Sequence, residues 1–185
     1  MKKLMIDMDE VIIGGAFLGI VNDFLGTNYK STDFKDYYIQ DSIPEEYRED
    51  FLDFFFSKNI YDYGEILPYA YEVMEELNKV YKLLIGTAYE MKERPRESHK
   101  LIGPKHVFLY DNFPFLSPSS YGFINDKDWI DCDISIDDRL INAIGKERKI
   151  LFPTYHNLDI LDEELMNLGV ERANGWLDIK RLLLK

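Results

Sequence analysis

Short apolar runs that stop abruptly at an acid or a hydroxyl set the rhythm of this chain. Leu4-Met5-Ile6 ends in Asp7-Met8-Asp9-Glu10, Tyr81-Lys82-Leu83-Leu84-Ile85-Gly86 ends at Thr87, and Cys132-Asp133-Ile134-Ser135-Ile136 ends at Asp137-Asp138. Buried parallel strands read in this way, and open α/β sheets bind their ligands at the carboxyl edge such runs reach. Lys149-Ile150-Leu151-Phe152, closed by Pro153, reads as a further strand. Helical spacing falls between the runs. Ala70, Val73, Met74, Leu77 and Val80 mark one buried face, with Pro68 as a first-turn proline. Asp138 is expected to cap a helix burying Leu140, Ile141 and Ile144, and Asn174 to cap a last helix through Leu177, Leu182 and Leu183. The stretch His106 to Tyr110 suits either a strand or a helix opened by Gly103-Pro104, with Tyr121-Gly122-Phe123-Ile124 as the rival third strand. Periodicity leaves both readings open.

Strands alternating with helices predict an α/β fold with a parallel sheet covered on both faces, because parallel neighbours need crossovers and crossovers are usually helical. One stretch breaks the alternation. Between Tyr29 and Tyr71 the chain carries 13 aromatic side chains interleaved with acids. Residues 14–66 are expected to form a mostly helical insertion after the first strand, with residues 1–13 and 67–185 as the core. Rings at this density serve first as the packing of the insertion itself.

Composition narrows the classes of partner. Among 185 residues, 34 acidic side chains face 22 basic ones, and the formal charge of -12 argues against polymeric nucleic acid and anionic lipid surfaces as partners. Cys132 has no partner for an internal disulfide, and an acid at position 7 interrupts any early apolar stretch, so a cytoplasmic location is expected. The longest nearly apolar run, Val11 to Val21, is too short for a membrane span. The wealth of aromatics leaves room for a homodimer.

Asp7 and Asp9 would share a face if the strand simply continued, whereas a turn after Asp7 frees them for different roles. A carboxylate that attacks phosphorus forms an acyl phosphate, and a neighbouring acid can protonate the departing alkoxide and then activate water. Asp7, Asp9, Asp137 and Asp138 crowded at one sheet edge repel one another unless a cation intervenes. An all-oxygen donor set suits Mg²⁺ better than zinc. Each residue has a plainer reading, as a solvated acid, a helix cap or an exposed lysine. The order strand-DxD, strand-Thr, Lys127, strand-DD is what no single structural requirement demands.

That order resembles the haloacid dehalogenase superfamily of phosphohydrolases, through Asp7-Met8-Asp9, Thr87, Lys127 and Asp137-Asp138. The spacing is similar to the 5'(3')-deoxyribonucleotidase family in particular. The residues that carry this are Ile6-Asp7-Met8-Asp9-Glu10-Val11, Gly86-Thr87-Ala88-Tyr89-Glu90-Met91, Asn112-Phe113-Pro114-Phe115 and Asp126-Lys127, followed by Ile136-Asp137-Asp138-Arg139, Leu151 to Asn157 and Asn174-Gly175-Trp176. The resemblance implies a Rossmann-like three-layer core with a small helical cap inserted after the first strand. It assigns Pro104 to Asn112 to a helix and Tyr121 to Asn125 to the third strand.

It also implies Mg²⁺-dependent hydrolysis of a small phosphorylated substrate, a (deoxy)nucleoside 5'-monophosphate, through an aspartyl-phosphate. In that scheme Asp7 is the nucleophile and Asp9 the general acid and base. Thr87, Ala88 and Lys127 bind the phosphoryl group, and Asp7, Asp9 (through its backbone carbonyl), Asp137 and Asp138 hold the metal. Two departures stand out. Family members usually read DMDGVLADF at the first motif, whereas this chain places Glu10 at the glycine and Gly14-Gly15 at the acid and the aromatic. Gly15 removes a partner for base stacking, for which Phe17 or an aromatic of the insertion is the substitute. The alternatives are another small phosphate ester as substrate, or a non-catalytic binding protein on the same fold. His156 follows the last strand and is expected either to approach the site or to serve local hydrogen bonding.

Overall fold

The apolar runs become strands because each is too short for a helix and rich in Leu, Ile and Met that can be buried on both faces. The computed structural model describes residues 1–34 and 37–184. Residues 35, 36 and 185 fall within the ranges expected for the insertion and the core, and lie outside the described residues. In chain order the strands are β1 (Lys3–Ile6), β2 (Ile13–Gly14), β3 (Glu65–Ile66), β4 (Lys82–Thr87), β5 (Tyr121–Phe123), β6 (Ile134–Asp137), β7 (Arg148–Leu151) and β8 (Val170–Arg172). The helices are α1 (Ala16–Leu25), α2 (Arg48–Ser57), α3 (Ala70–Leu77), α4 (Ile102–Asn112), α5 (Asp162–Asn167) and α6 (Trp176–Leu183). Six strands form one parallel sheet in the order β5-β4-β1-β6-β7-β8, while β2 and β3 pair antiparallel as a short ribbon.

This is the α/β Rossmann-like architecture expected from the alternation. The order reverses direction at β1: β4 and β5 lie on one side, and β6, β7 and β8 on the other. A crevice opens beyond the carboxyl ends of strands at such a switch point. Asp7 follows β1, Thr87 ends β4 and Asp137 ends β6, so the three strand ends that carry chemistry are neighbours. The helix over Ile102–Asn112 and the strand at Tyr121–Phe123 resolve the ambiguity that periodicity left open.

The segment between the β2–β3 ribbon strands holds α1, α2 and several 3₁₀ turns. One buried cluster runs without a break from Leu4, Ile85 and Ile136 of the sheet, through Val11, Ile12 and Ile13, to Ile20, Phe51, Phe55 and Ile60 of the insertion. The turn after β1 is anchored from the far end of the chain, where the buried Trp176 indole donates to the Val11 carbonyl at 2.7 Å. None of the described helices is long and apolar enough to cross a membrane.

Several local expectations fail for identifiable reasons. No helix follows Asp138; only a 3₁₀ turn at Leu140–Asn142 forms, and Ile141 is 77% exposed. The chain instead wraps back onto Asp137, whose Oδ1 accepts from the Arg139 N–H at 2.9 Å and the Asn142 side-chain amide at 3.1 Å. The return to β7 passes hard against β6: a Cβ at Gly145 would stand 2.0 Å from the Arg148 carbonyl oxygen, so only glycine fits. Gly175, not Asn174, occupies the N-cap of α6, and Asn174 donates to Asp178 instead. The buried face of α6 is Trp176, Ile179 and Leu183, with Leu177 exposed. Pro68 precedes the α3 cap residue Tyr69, and Val80 lies exposed beyond the end of the helix. The three-residue strand β8 is too short to leave a periodic signal.

Candidate active site

Parallel pairing on both sides of β1 fixes the main chain up to the Asp7 N–H, which donates to the Ile136 carbonyl at 2.9 Å. The chain then turns at once. The N–H groups of Val11, Ile12 and Ile13 all point back to the Met8 carbonyl, and Glu10 sits at φ 59, in the left-handed region. A glycine enters that region without cost, while a side chain pays on the order of 1–2 kcal/mol. Here the Glu10 carboxylate bends over and accepts from the Gly15 N–H at 3.0 Å, opposite the open N-terminus of α1. Gly15 is itself left-handed at φ 75, a conformation an aromatic residue in its place would strain.

The turn separates the two acids of the first motif. The Asp7 carboxylate faces Lys127, whose Nζ lies 2.7 Å from Asp7 Oδ1 and 2.6 Å from Asp137 Oδ2. The Asp9 carboxylate faces elsewhere: Oδ2 pairs with the Lys105 ammonium, and Oδ1 accepts from the Tyr61 hydroxyl at 3.0 Å. Lys105 also donates to Thr87 Oγ1 at 2.8 Å, so the hydroxyl ending β4 already has one donor. Asp7, Asp137 and Asp138 each offer an oxygen within 4.8 Å of the others'. Asp138 Oδ2 is hydrogen-bonded to His156 Nε2 at 2.7 Å, while its Oδ1 is buried with no hydrogen-bond partner among the described residues.

Charge in this cluster is unbalanced. Among the described residues the three buried carboxylates have one buried ammonium between them, Lys127, paired with Asp7 and Asp137, which leaves an excess of two negative charges if all three are ionised. Burial pushes the Asp7 carboxyl up to about 6, with Lys127 opposing and Asp137 and Asp9 adding to the rise. Asp138 is driven well above the carboxylate range by burial and then by the charges of Asp7 and Asp137. Burial disfavours the Lys127 ammonium, but Asp7 and Asp137 outweigh it and hold the group above its ordinary value. Burial raises Glu10 to about 6, the Gly15 N–H opposing and the Asp9 charge adding. His156 is held below its usual value by burial and by the Arg139 charge. An orphaned carboxylate oxygen in an all-oxygen trio with two uncompensated charges fits a hard divalent cation.

A cavity of about 310 Å³ opens over this edge. Asp9, Ala88, Lys105 and Asp138 line one end, and Phe17, Phe55, Ile60, Met91 and Leu101 form an apolar wall, with Tyr37, Tyr38 and Tyr155 around it. Asp7, Thr87, Lys127 and Asp137 lie beneath that lining, each at most 7% exposed. Phe17 and Phe55 stack with ring centres 5.9 Å apart. The cavity thus joins polar groups over the sheet edge to a wall to which the insertion supplies Phe17, Phe55 and Ile60 and the core Met91 and Leu101.

The strand ends named from the sequence therefore meet. Lys127 arrives as a bridge between two acids, and Lys105, Tyr61 and His156 complete a set that sequence reasoning either missed or left open. Lys105 carries no local signal, since it stands on a helix whose His106, Val107 and Tyr110 face solvent. Tyr61 is one ring among many in an aromatic segment.

A parallel α/β sheet with acids and lysines gathered at its switch point is the arrangement of a protein that binds a small phosphorylated ligand at the strand ends. Among known families, the model described as "5' nucleotidase, deoxy (Pyrimidine), cytosolic type C protein" matches residues 1–185, and the chain belongs to this family of nucleotidases, which are phosphoric monoester hydrolases. It is similar to a Staphylococcus epidermidis protein named "Putative 5'(3')-deoxyribonucleotidase", 29% identical over 97% of this chain and 94% of that protein. A Staphylococcus aureus protein of the same name is 27% identical over 99% and 96%, and a Clostridium acetobutylicum "5'(3')-deoxyribonucleotidase" is 25% identical over 97% and 93%.

Proposed function

We propose that the protein hydrolyses (deoxy)nucleoside 5'-monophosphates in a Mg²⁺-dependent reaction through an aspartyl-phosphate on Asp7. The observation that carries this reading is the buried trio Asp7, Asp137 and Asp138, which among the described residues has one lysine, on Asp7 and Asp137, and leaves Asp138 Oδ1 without a hydrogen-bond partner. With all three acids ionised, their excess charge suits one divalent ion. The ion would be held by the carboxylates of Asp7, Asp137 and Asp138 with the Asp9 backbone carbonyl, and when bound it offsets the repulsion between the substrate phosphate and Asp7.

In the first step an Asp7 oxygen forms a bond to phosphorus as the ester P–O bond breaks. Asp9 gives its proton to the departing 5'-oxygen. In the second step Asp9 takes a proton from water, whose oxygen attacks the acyl phosphate, releasing inorganic phosphate and restoring Asp7. Lys105 and Tyr61 each hold one oxygen of the Asp9 carboxylate and so orient it beside the site, and one of these contacts opens when Asp9 carries the proton. Lys127 and the Thr87–Ala88 strand end neutralise and position the transferring group. The apolar wall with Phe17 and Phe55 supports a nucleobase as the leaving-group side of the substrate, in place of the aromatic that Gly15 lacks.

The test is phosphate release from deoxynucleoside 5'-monophosphates and sugar phosphates, with Mg²⁺ and with chelator. Nucleotides are expected to lead the panel, release to need the metal, and Asp7→Asn to lose at least about 10³-fold in kcat. Turnover retained by Asp7→Asn would remove the nucleophile, and sugar phosphates ranking above every nucleotide would remove the substrate.

A further inference from the structure

Asp138 is held by the loop after β7 in a way that leaves one oxygen free. His156 Nε2 is hydrogen-bonded to its Oδ2 at 2.7 Å, the Asn157 side-chain amide donates to its backbone carbonyl at 2.8 Å, and Oδ1 of this trio member is buried with no hydrogen-bond partner among the described residues. Once Asp138 is ionised, as a metal ligand is, its oxygen can only accept and Nε2 is the donor. The imidazole is itself fixed from the insertion. The Tyr37 ring meets it edge-on with centres 5.0 Å apart, and the Tyr155 hydroxyl donates to the Tyr37 carbonyl at 3.0 Å. The Arg139 guanidinium covers the Tyr37 ring at 4.3 Å.

We infer that His156 is a positioning residue for the metal seat, holding Asp138 with Oδ1 turned to the ion, and that Tyr37 couples the seating of the insertion to ion binding through this imidazole. The inference rests on the Mg²⁺ reading of the site. Partners that orient a ligand without touching the metal typically change its affinity 10- to 100-fold. A carboxylate freed to rotate must be reordered each time an ion binds. Because coupling is reciprocal, an insertion seated over the cavity tightens Mg²⁺, and bound Mg²⁺ favours the seated insertion.

The test is isothermal titration of the full chain with Mg²⁺, without substrate, with circular dichroism and melting of the ion-free proteins to confirm their folds. His156→Ala is expected to weaken Mg²⁺ binding about 10- to 100-fold. His156→Gln, whose amide can donate to the same oxygen, is expected to recover most of that loss. Tyr37→Ala is expected to weaken the ion severalfold on its own but to add nothing to His156→Ala, since both act on one path. Wild-type affinity in His156→Ala, or equal losses in the alanine and glutamine variants, overturns the positioning role. Full additivity of the Tyr37 and His156 losses, or no loss in Tyr37→Ala, overturns the coupling. Wild-type protein that takes up no Mg²⁺ overturns the metal reading itself, an outcome distinct from these.

Discussion

At the sheet edge, Asp7, Thr87, Asp137 and Asp138 reach the site on short side chains from strand ends that parallel pairing locks in place. In the insertion, Phe17, Tyr37, Phe55 and Tyr61 reach the same cavity as rings carried by two ten-residue helices and several 3₁₀ turns. The first region has exact placement and unfavourable charge, with three buried acids against one lysine. The second has favourable burial, and its phenylalanines are held by apolar contacts alone, while Tyr61 and Tyr37 each add one hydrogen bond to the core. Chemistry that needs an acid oxygen held against phosphorus belongs on the rigid edge, and recognition of a flat base belongs on the adjustable wall.

The comparison breaks most visibly at Lys105, where a core lysine and the Tyr61 hydroxyl of the insertion hold one carboxylate between them. Replacing Lys105 by Met is expected to lower kcat about 10²- to 10³-fold, with a smaller change in KM, since Asp9 then loses the group that aims it. Steady-state kinetics checks this, and a change confined to KM would assign Lys105 to binding alone.

A pH experiment separates the two regions next. Asp7, with a folded value of about 6 against an ordinary 3.8, binds a proton more tightly when the protein is folded. Its contribution to stability is therefore fully present below pH 4 and is lost as the pH rises through about 6. Metal-free protein should become less stable over this window, and Mg²⁺ should remove the loss by pairing with the ionised acids, releasing protons as it binds. Urea melts at pH 4 to 7 with and without Mg²⁺ measure it; parallel curves would show that the ion does not relieve the acid cluster.

Phe17→Ala tests the wall. It is expected to raise KM for nucleotides about tenfold while leaving kcat within a factor of about two, because a stacked ring contributes on the order of 1–3 kcal/mol to base binding. A loss in kcat instead would place the ring in the chemistry. The smallest effect is expected at Arg94, which joins Glu49 and Asp53 of α2 to Glu97 of the loop after β4 on the exposed flank. Ion pairs on such a flank contribute little, so Arg94→Ala should leave the thermal melt almost unchanged.

The site divides by how far each contact reaches along the chain. Asp7, Thr87, Asp137 and Asp138 were legible because a buried strand announces itself by its apolar run, and the residue ending it must stand at the sheet edge. Lys127 was legible only through its place in the motif order. Glu10 could be read as a departure, but not that it would enter the left-handed region and cap α1, since that depends on a turn packed beneath Trp176. The helix expected after Asp138 failed because its cap residue was claimed by His156 and its first turn by Asp137, both tertiary demands that override local preference.

By itself the sequence determined the alternation, the strand ends and hence which acids share an edge, because side-chain direction and burial along a strand are local properties. Only the tertiary structure decided that Lys105 and Tyr61, 96 and 52 positions from Asp9, would hold its two oxygens, and that His156 would leave one oxygen of Asp138 free. A single lysine or tyrosine carries no periodic signal of its partner; the partner is chosen when helices and insertion pack onto the sheet and each buried charge must find its counter-group.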